Sequence, residues 1–200
     1  MGKLMSRKKT RPFTQPDIEA CGPAALKTAL KLFGMRRSYD GLYDLCKTTK
    51  NGTSVENLIK AANRLGFYVL SIEWATLTHI QNSPKAPSGH TRAVIVDYLY
   101  RDEDPHEETG HYAVVAGYSA RSSRIITFDS YTGTKKSYLW TDFLDSWYDY
   151  DYKRIKARHS IRRYTLYKRW HNRLMLVLAK KPEFLPRFRS ASKKYFTPKG

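Results

Sequence analysis

The sequence predicts an α+β domain in which N-terminal helices pack on an antiparallel sheet. Two observations point to this fold class. Helical spacing of apolar residues predominates in the first third of the chain, and short runs rich in aromatic and branched residues follow Gly66. Helices followed by strands are typical of an α+β domain of two packed layers.

The first predicted helix covers residues 24–33, where apolar side chains recur every three or four positions. Pro23 suits a first helical turn, because the N–H that proline lacks has no partner there. Gly34 suits a helix end. Cys21 is therefore expected at, or just before, the first turn of this helix.

Two further helices are predicted before the strands begin. One runs from position 38 or 39 to about 46, and the next covers about 54–65. Thr53 and Glu56 are three residues apart, which is the spacing of a capping box, and Gly66 provides the end of the helix.

The rest of the chain is predicted to form the sheet. Strands are expected over 67–73, 93–100, 111–118, 124–130 and 174–179, with a short helix over 141–149 capped by Thr141. An acidic segment, 101–110, separates two of the strands. We expect a basic arm over 1–11, one domain over 12–180 and a loose basic tail over 181–200.

The composition favours a cytoplasmic protein with free thiols. Cys21 and Cys46 are too few for a disulfide framework, although they could pair with each other. No apolar segment follows the basic N-terminus as in a secretory signal, and the longest apolar run, 174–179, is too short to cross a bilayer. The two cysteines and the histidines lack metal-ligand spacing, so neither a metal nor a cofactor is expected.

The positive charge is concentrated at the two ends of the chain. The formal net charge is +18, of which residues 1–11 carry +5 and residues 151–200 carry +14. This pattern suggests an anionic partner such as nucleic acid, a membrane surface or an acidic protein, unless the ends are simply solvated. The acidic segment could also dock the tail. Aromatic residues in the basic stretch could stack on bases: Tyr164, Tyr167, Trp170 and Tyr195.

Four separated residues form a candidate catalytic set. A thiolate at Cys21 would be stabilised by the helix N-terminus and by a nearby imidazolium. His111 begins a strand after a glycine, and Asp129 ends the next strand, so the two could lie side by side. Gln15 and the Cys21 N–H could donate to an oxyanion. Taken singly, each residue also suits a structural role in the core or in a turn.

The stretches that carry this set resemble a known family. QPDIEACGPAAL, HYAVVAGY and ITFDSYTG follow the order found in papain-like cysteine peptidases, most closely the bacteriocin-processing domain that cleaves after double-glycine leaders, and its stand-alone relatives. The resemblance covers roughly residues 13–150. It implies a papain-like fold, a Cys21 nucleophile, a His111 base, an orienting Asp129 and Gln15 in the oxyanion hole.

The expected function is hydrolysis of peptide or protein substrates by a cysteine peptidase. Two other functions stay open: acyl transfer or amide hydrolysis on the same triad, and nucleic-acid binding without catalysis. The sequence departs from the family pattern at Ala20, where an aspartate is common, and at Ser130, where a proline is common. These departures leave the catalytic set intact but do not support a double-glycine substrate.

Overall fold

A computed structural model describes residues 10–101, 108–156, 164–189 and 192–198 of the chain. The first nine residues of the basic arm and most of the acidic segment lie outside these ranges. The helices are α1 (Cys21–Leu32), α2 (Tyr39–Leu45), α3 (Val55–Arg64), α4 (Leu77–Asn82) and α5 (Trp140–Ser146), with 3-10 turns at Ile18–Ala20 and Pro182–Phe184. The helices predicted from the sequence are confirmed, and α4 is an addition.

The cap residues of two helices differ from those predicted. Ser54, not Thr53, caps α3, because its hydroxyl accepts a hydrogen bond from the Asn57 N–H at 3.3 Å. The Thr53 hydroxyl instead lies 2.7 Å from that of Thr48. Helix α5 begins one residue before Thr141 and has no side-chain cap.

Seven strands form one antiparallel sheet in the order β5-β4-β3-β2-β8-β1-β9. Two more, β6 and β7, form a separate antiparallel ribbon. The strands are β1 (Tyr68–Glu73), β2 (Ala93–Arg101), β3 (Glu108–Ser119), β4 (Arg124–Asp129), β5 (Thr134–Leu139), β6 (Tyr148–Lys156), β7 (Tyr164–Asn172), β8 (Met175–Ala179) and β9 (Ser192–Phe196).

The large sheet is covered on both faces, so the domain has a layer more than the two that the sequence predicts. One cluster of buried side chains joins α1 and α3 to one face, and a second joins α4, α5 and Leu185 to the other. All five residues of β8 are buried. A strand with both faces covered reads as a continuous apolar run, as this one does in the sequence.

The C-terminal segment is ordered over much of its length, whereas the sequence predicts a loose tail. Leu185 is buried in the second cluster. Strand β9 pairs with β1 from Val69↔Phe196 to Glu73↔Ser192 and forms one edge of the sheet. Its sequence, SKKYF, has two lysines and no apolar run, so its strand conformation depends on the pairing of its backbone with β1 and on Phe196, which packs against the first cluster.

Candidate active site

Cys21 is the first residue of α1, directly after the 3-10 turn at Ile18–Ala20. The next residue, Gly22, packs so closely on Thr53 that an added Cβ would lie 2.6 Å from the Thr53 Cβ. A side chain at position 22 would therefore push α1 away from the segment before α3. The Cys-Gly-Pro sequence fixes the start of α1 and with it the position of the thiol.

The Cys21 thiol lies at the edge of β3. Its Sγ is 4.0 Å from the carbonyl oxygen of Gly110, the residue immediately before His111. Cys21 is only 5% exposed, whereas Gly110 is exposed. Strand β4 begins its pairing with β3 only at Val114↔Phe128, so the sulfur sits beside a stretch of β3 that β4 does not cover. The thiol is thus buried but next to the protein surface.

Burial raises the pKa of the Cys21 thiol to about 12. The backbone N–H of Tyr112 favours the thiolate, while the carboxylates of Asp97 and Asp149 oppose it. The thiol is therefore neutral at physiological pH in this conformation. Within the described ranges, no hydrogen bond joins the Cys21 sulfur to the ring of His111.

His111 is buried and its ring lies against Asp129. Nε2 of His111 is 3.3 Å from Oδ2 of Asp129. The sequence predicts His111 as the first residue of its strand, but β3 begins at Glu108, whereas Asp129 is the last residue of β4 as predicted. The rings of Tyr98 and Tyr100 pack against the imidazole, with centroids 5.6 and 5.2 Å away. These contacts hold the imidazole in place beside the carboxylate.

The carboxylate of Asp129 is itself held by the following turn. Its Oδ1 accepts hydrogen bonds from the Thr132 N–H at 2.8 Å and from the Thr132 hydroxyl at 2.9 Å. Burial alone would raise the pKa of Asp129, but His111 and these two donors lower it below its ordinary value. Asp129 is thus a fixed anion beside His111.

Gln15 lies next to the same turn but its amide group is already engaged. Its backbone N–H donates to the Ser130 carbonyl at 2.8 Å, and the Ser130 hydroxyl donates to Oε1 of Gln15 at 2.9 Å. The Gln15 NH₂ group donates to the carbonyls of Asp17 and Ile18, at 2.9 and 3.3 Å. To stabilise an oxyanion, this NH₂ would have to exchange one of these backbone acceptors for the substrate.

Several residues near the site are not predicted from the sequence to have a role there. Ser130, noted only as a departure from the family pattern, links Gln15 to the turn that holds Asp129. Asp97 of β2 and Asp149 of β6 form a hydrogen-bonded pair of carboxyl groups near the thiol. A Cβ at Gly110 would overlap the Asp149 carboxylate. No pattern of spacing signals this pair, because its members come from strands far apart in the chain.

Two general features complete the description. In the described ranges, no group of three or more His, Cys, Asp or Glu side chains is arranged to hold a metal ion. None of the helices described has the length and apolar character of a bilayer-spanning segment.

Comparison with known proteins gives a family match and two curated relatives. The Peptidase C39 family matches residues 9–150. The lactococcin-A transport/processing ATP-binding protein of Lactococcus lactis subsp. lactis is 34% identical over 119 residues, which cover 59% of this chain and 15% of the relative. The mesentericin-Y105 transport/processing ATP-binding protein of Leuconostoc mesenteroides is 39% identical over 69 residues, 34% of this chain and 10% of the relative.

Solved structures share the fold at low sequence identity. The peptidase domain of Streptococcus ComA, a bi-functional ABC transporter involved in quorum sensing, superposes with a TM-score of 0.60 at 23% identity, over 86% of this chain and 99% of that one. A double glycine motif protease from an AMS/PCAT transporter, in complex with the leader peptide, gives 0.57 at 14% identity, over 84% and 91%. Because the family match covers most of its residues, the chain belongs to the Peptidase C39 family, whose members are cysteine peptidases.

Proposed function

We propose that this protein hydrolyses peptide bonds with Cys21 as nucleophile, His111 as general base and acid, and Asp129 as the group that orients His111. The observation that supports this assignment is the contact of the Cys21 sulfur with Gly110, the neighbour of a histidine that is itself paired with a buried carboxylate. Cysteine and serine peptidases use a nucleophile, a general base and an acid that orients the base in these same three roles.

Catalysis requires the sulfur and the imidazole to come into hydrogen-bond contact. Catalytic hydrogen bonds are often long in enzymes without substrate and tighten in the complex. When the contact forms, the thiol proton passes to His111 and the thiolate attacks the substrate carbonyl carbon. His111 then protonates the leaving amine, and water, deprotonated by His111, hydrolyses the thioester.

The developing oxyanion needs donors at the start of α1. The backbone N–H of Cys21 is one, and the NH₂ group of Gln15 is the second in our proposal. Gln15 is positioned for this by the hydroxyl and carbonyl of Ser130, and so by the same turn that holds Asp129. The turn thus connects the oxyanion donor to the group that orients the base.

The substrates in this proposal are peptides. One structural relative is named for the double glycine motif and was solved with a leader peptide. The chain spans only 15% and 10% of the length of its two curated relatives, and their transport activity is not part of this proposal. A leader peptide with a double glycine is therefore the first substrate to test, followed by a library of unrelated peptides.

Comparison of two cysteine variants tests the proposal. Both Cys21 and Cys46 are free and buried. We expect Cys21→Ala to lose hydrolysis to the buffer background and Cys46→Ala to retain it. A thiol-reactive peptide electrophile should label the parent protein and Cys46→Ala but not Cys21→Ala. Mass spectrometry of the products separates hydrolysis from transfer to an added amine, and unchanged cleavage by Cys21→Ala would place the site elsewhere.

A further inference from the structure

The β6–β7 ribbon has two faces of different composition. In antiparallel strands, side chains alternate between faces, and cross-strand partners share one. The pairs Tyr150↔Trp170, Tyr152↔Lys168 and Arg154↔Leu166 therefore lie on one side, which we call the outer face. Both aspartates of the ribbon, Asp149 and Asp151, lie on the other.

The inner face attaches the ribbon to the domain. Asp149 lies against Gly110 of β3. Asp151 accepts a hydrogen bond from the Val55 N–H at 3.1 Å and lies 3.1 Å from Nε2 of His171. The other ring nitrogen of His171 is 3.4 Å from Glu73 of β1. Because these contacts fix the inner face against the body, they leave the outer face turned away from it.

The outer face is apolar and basic. Tyr152, Leu166 and Trp170 are 46%, 58% and 50% exposed, which is unusual for side chains of this size in one patch. The ring of Tyr150 contacts the rings of Tyr152 and Trp170, with centroid distances of 5.4 and 5.0 Å. Arg154 and Lys168 are exposed beside them. The described part of this face contains no carboxylate.

The ring geometry distinguishes between two kinds of anionic partner. Single-stranded nucleic acid is bound by stacking bases on free ring faces. Here Tyr150 meets Tyr152 and Trp170 edge to face, and the Lys168 ammonium lies 3.9 Å from the centre of the Tyr150 ring. Leu166 offers no stacking surface. Trp and Tyr beside Lys and Arg are instead the residues enriched where a protein meets the lipid headgroups.

We propose that the outer face of the ribbon binds an anionic membrane surface, with Trp170, Tyr152 and Leu166 entering the headgroup region and Arg154 and Lys168 contacting lipid phosphates. Each basic side chain near such a surface strengthens binding, and the high positive charge of residues 151–200 adds long-range attraction. The ribbon lies almost entirely beyond residues 9–150, the part that matches the peptidase family. Membrane binding is therefore separable from peptide hydrolysis.

Vesicle binding tests the proposal in two ways. We expect the full chain to sediment with vesicles of phosphatidylcholine and phosphatidylglycerol but not with phosphatidylcholine alone. The double variant Arg154→Gln, Lys168→Gln should bind these vesicles about 30-fold more weakly, because each lost charge lowers the affinity roughly fivefold. Brominated lipids should quench the tryptophan emission of the parent protein, and Trp170→Ala should remove this quenching.

Matched variants control for net charge and for exposed tryptophan. Arg36 and Arg121 are exposed outside the ribbon, so replacing both with Gln should change vesicle binding no more than about twofold. Trp74, 53% exposed at the end of β1, provides the other control, because Trp74→Ala should keep the quenching. Equal losses in ribbon and control variants would overturn the proposal. The proposal would also be overturned if the protein bound a single-stranded oligonucleotide in a Trp170-dependent manner and did not bind anionic vesicles.

Discussion

Nε2 of His111 lies 3.3 Å from Oδ2 of Asp129, and the second oxygen of that carboxylate is held by the backbone and hydroxyl of Thr132. One oxygen of the carboxylate therefore contacts the turn, and the other contacts the imidazole. This arrangement fixes the ring orientation of His111 independently of Cys21.

Replacing Asp129 with Asn should lower kcat for peptide hydrolysis by about 10²- to 10⁴-fold, because the neutral amide neither stabilises an imidazolium nor fixes its tautomer. KM should change little. Steady-state kinetics on a cleavable peptide provides the measurement, with Asp142→Asn, an exposed carboxylate on α5, as control. Equal activity of the two variants would remove Asp129 from the mechanism.

Replacing Gln15 with Ala should lower kcat by about 10²- to 10³-fold, the usual effect of losing one oxyanion donor. Ser130→Ala keeps the donor and removes only the hydrogen bond that orients it, so we expect a loss of at most about tenfold. If both variants lose the same amount, Gln15 acts by holding the turn and does not contact the oxyanion.

The stability of the fold should respond to Asp149 in a defined pH window. Burial raises the pKa of Asp149 from 3.8 to about 6, although the hydrogen bond with Asp97 acts in the opposite direction. Between these pH values the folded protein holds a proton that the unfolded chain has released, so this carboxyl makes the fold less stable as the pH rises.

Asp149→Asn should therefore raise the free energy of unfolding at pH 7 by roughly 1–3 kcal/mol, with the difference vanishing near pH 4. Urea unfolding of both proteins at several pH values gives the comparison. Asp145→Asn, an exposed carboxylate in α5, should show no such pH-dependent difference. A variant that is destabilised at pH 7 would mean that the Asp149 charge is stabilising in the fold.

Replacing Gly22 with Ala should destabilise the protein by about 1–3 kcal/mol, because the new methyl group overlaps Thr53 and α1 must shift. Gly117→Ala is the matched control, since a Cβ there meets no atom within 4 Å. Thermal unfolding of the two variants supplies the measurement. Equal melting temperatures would mean that the segment containing Thr53 moves aside freely.

The sequence predicts the helices and the apolar strands well because their side-chain patterns are local. It does not predict β5, β6, β7 and β9. The first strand of the ribbon begins by alternating tyrosine with aspartate, and β9 contains two adjacent lysines, so neither contains an apolar run. The ribbon and β9 each form through contacts with residues distant in the chain. Strands β6 and β7 pair with each other and are held to the domain by contacts such as that of Asp151, and β9 pairs with the backbone of β1.

In the candidate site, too, the features that depend on local sequence patterns are predictable, and those that depend on distant contacts are not. Cys21, His111, Asp129 and Gln15 can be chosen from the sequence because helix and strand ends are visible there. The environment of the Cys21 thiol cannot be predicted from the sequence, since the Asp97–Asp149 pair joins two strands that are far apart in the chain. That pair and the burial of Cys21 give a neutral thiol, whereas a helix N-terminus alone favours a thiolate.

The position of β9 at the edge of the sheet affects how the positive C-terminal charges can be studied. Cutting the chain before Ser192 would remove lysines, but it would also leave the amide and carbonyl groups on one side of β1 without partners. An uncovered strand of this kind recruits other chains and promotes aggregation. Loss of solubility after such a deletion would reflect the exposed edge, so the role of the lysines is better assessed by exchanging side chains within the intact polypeptide.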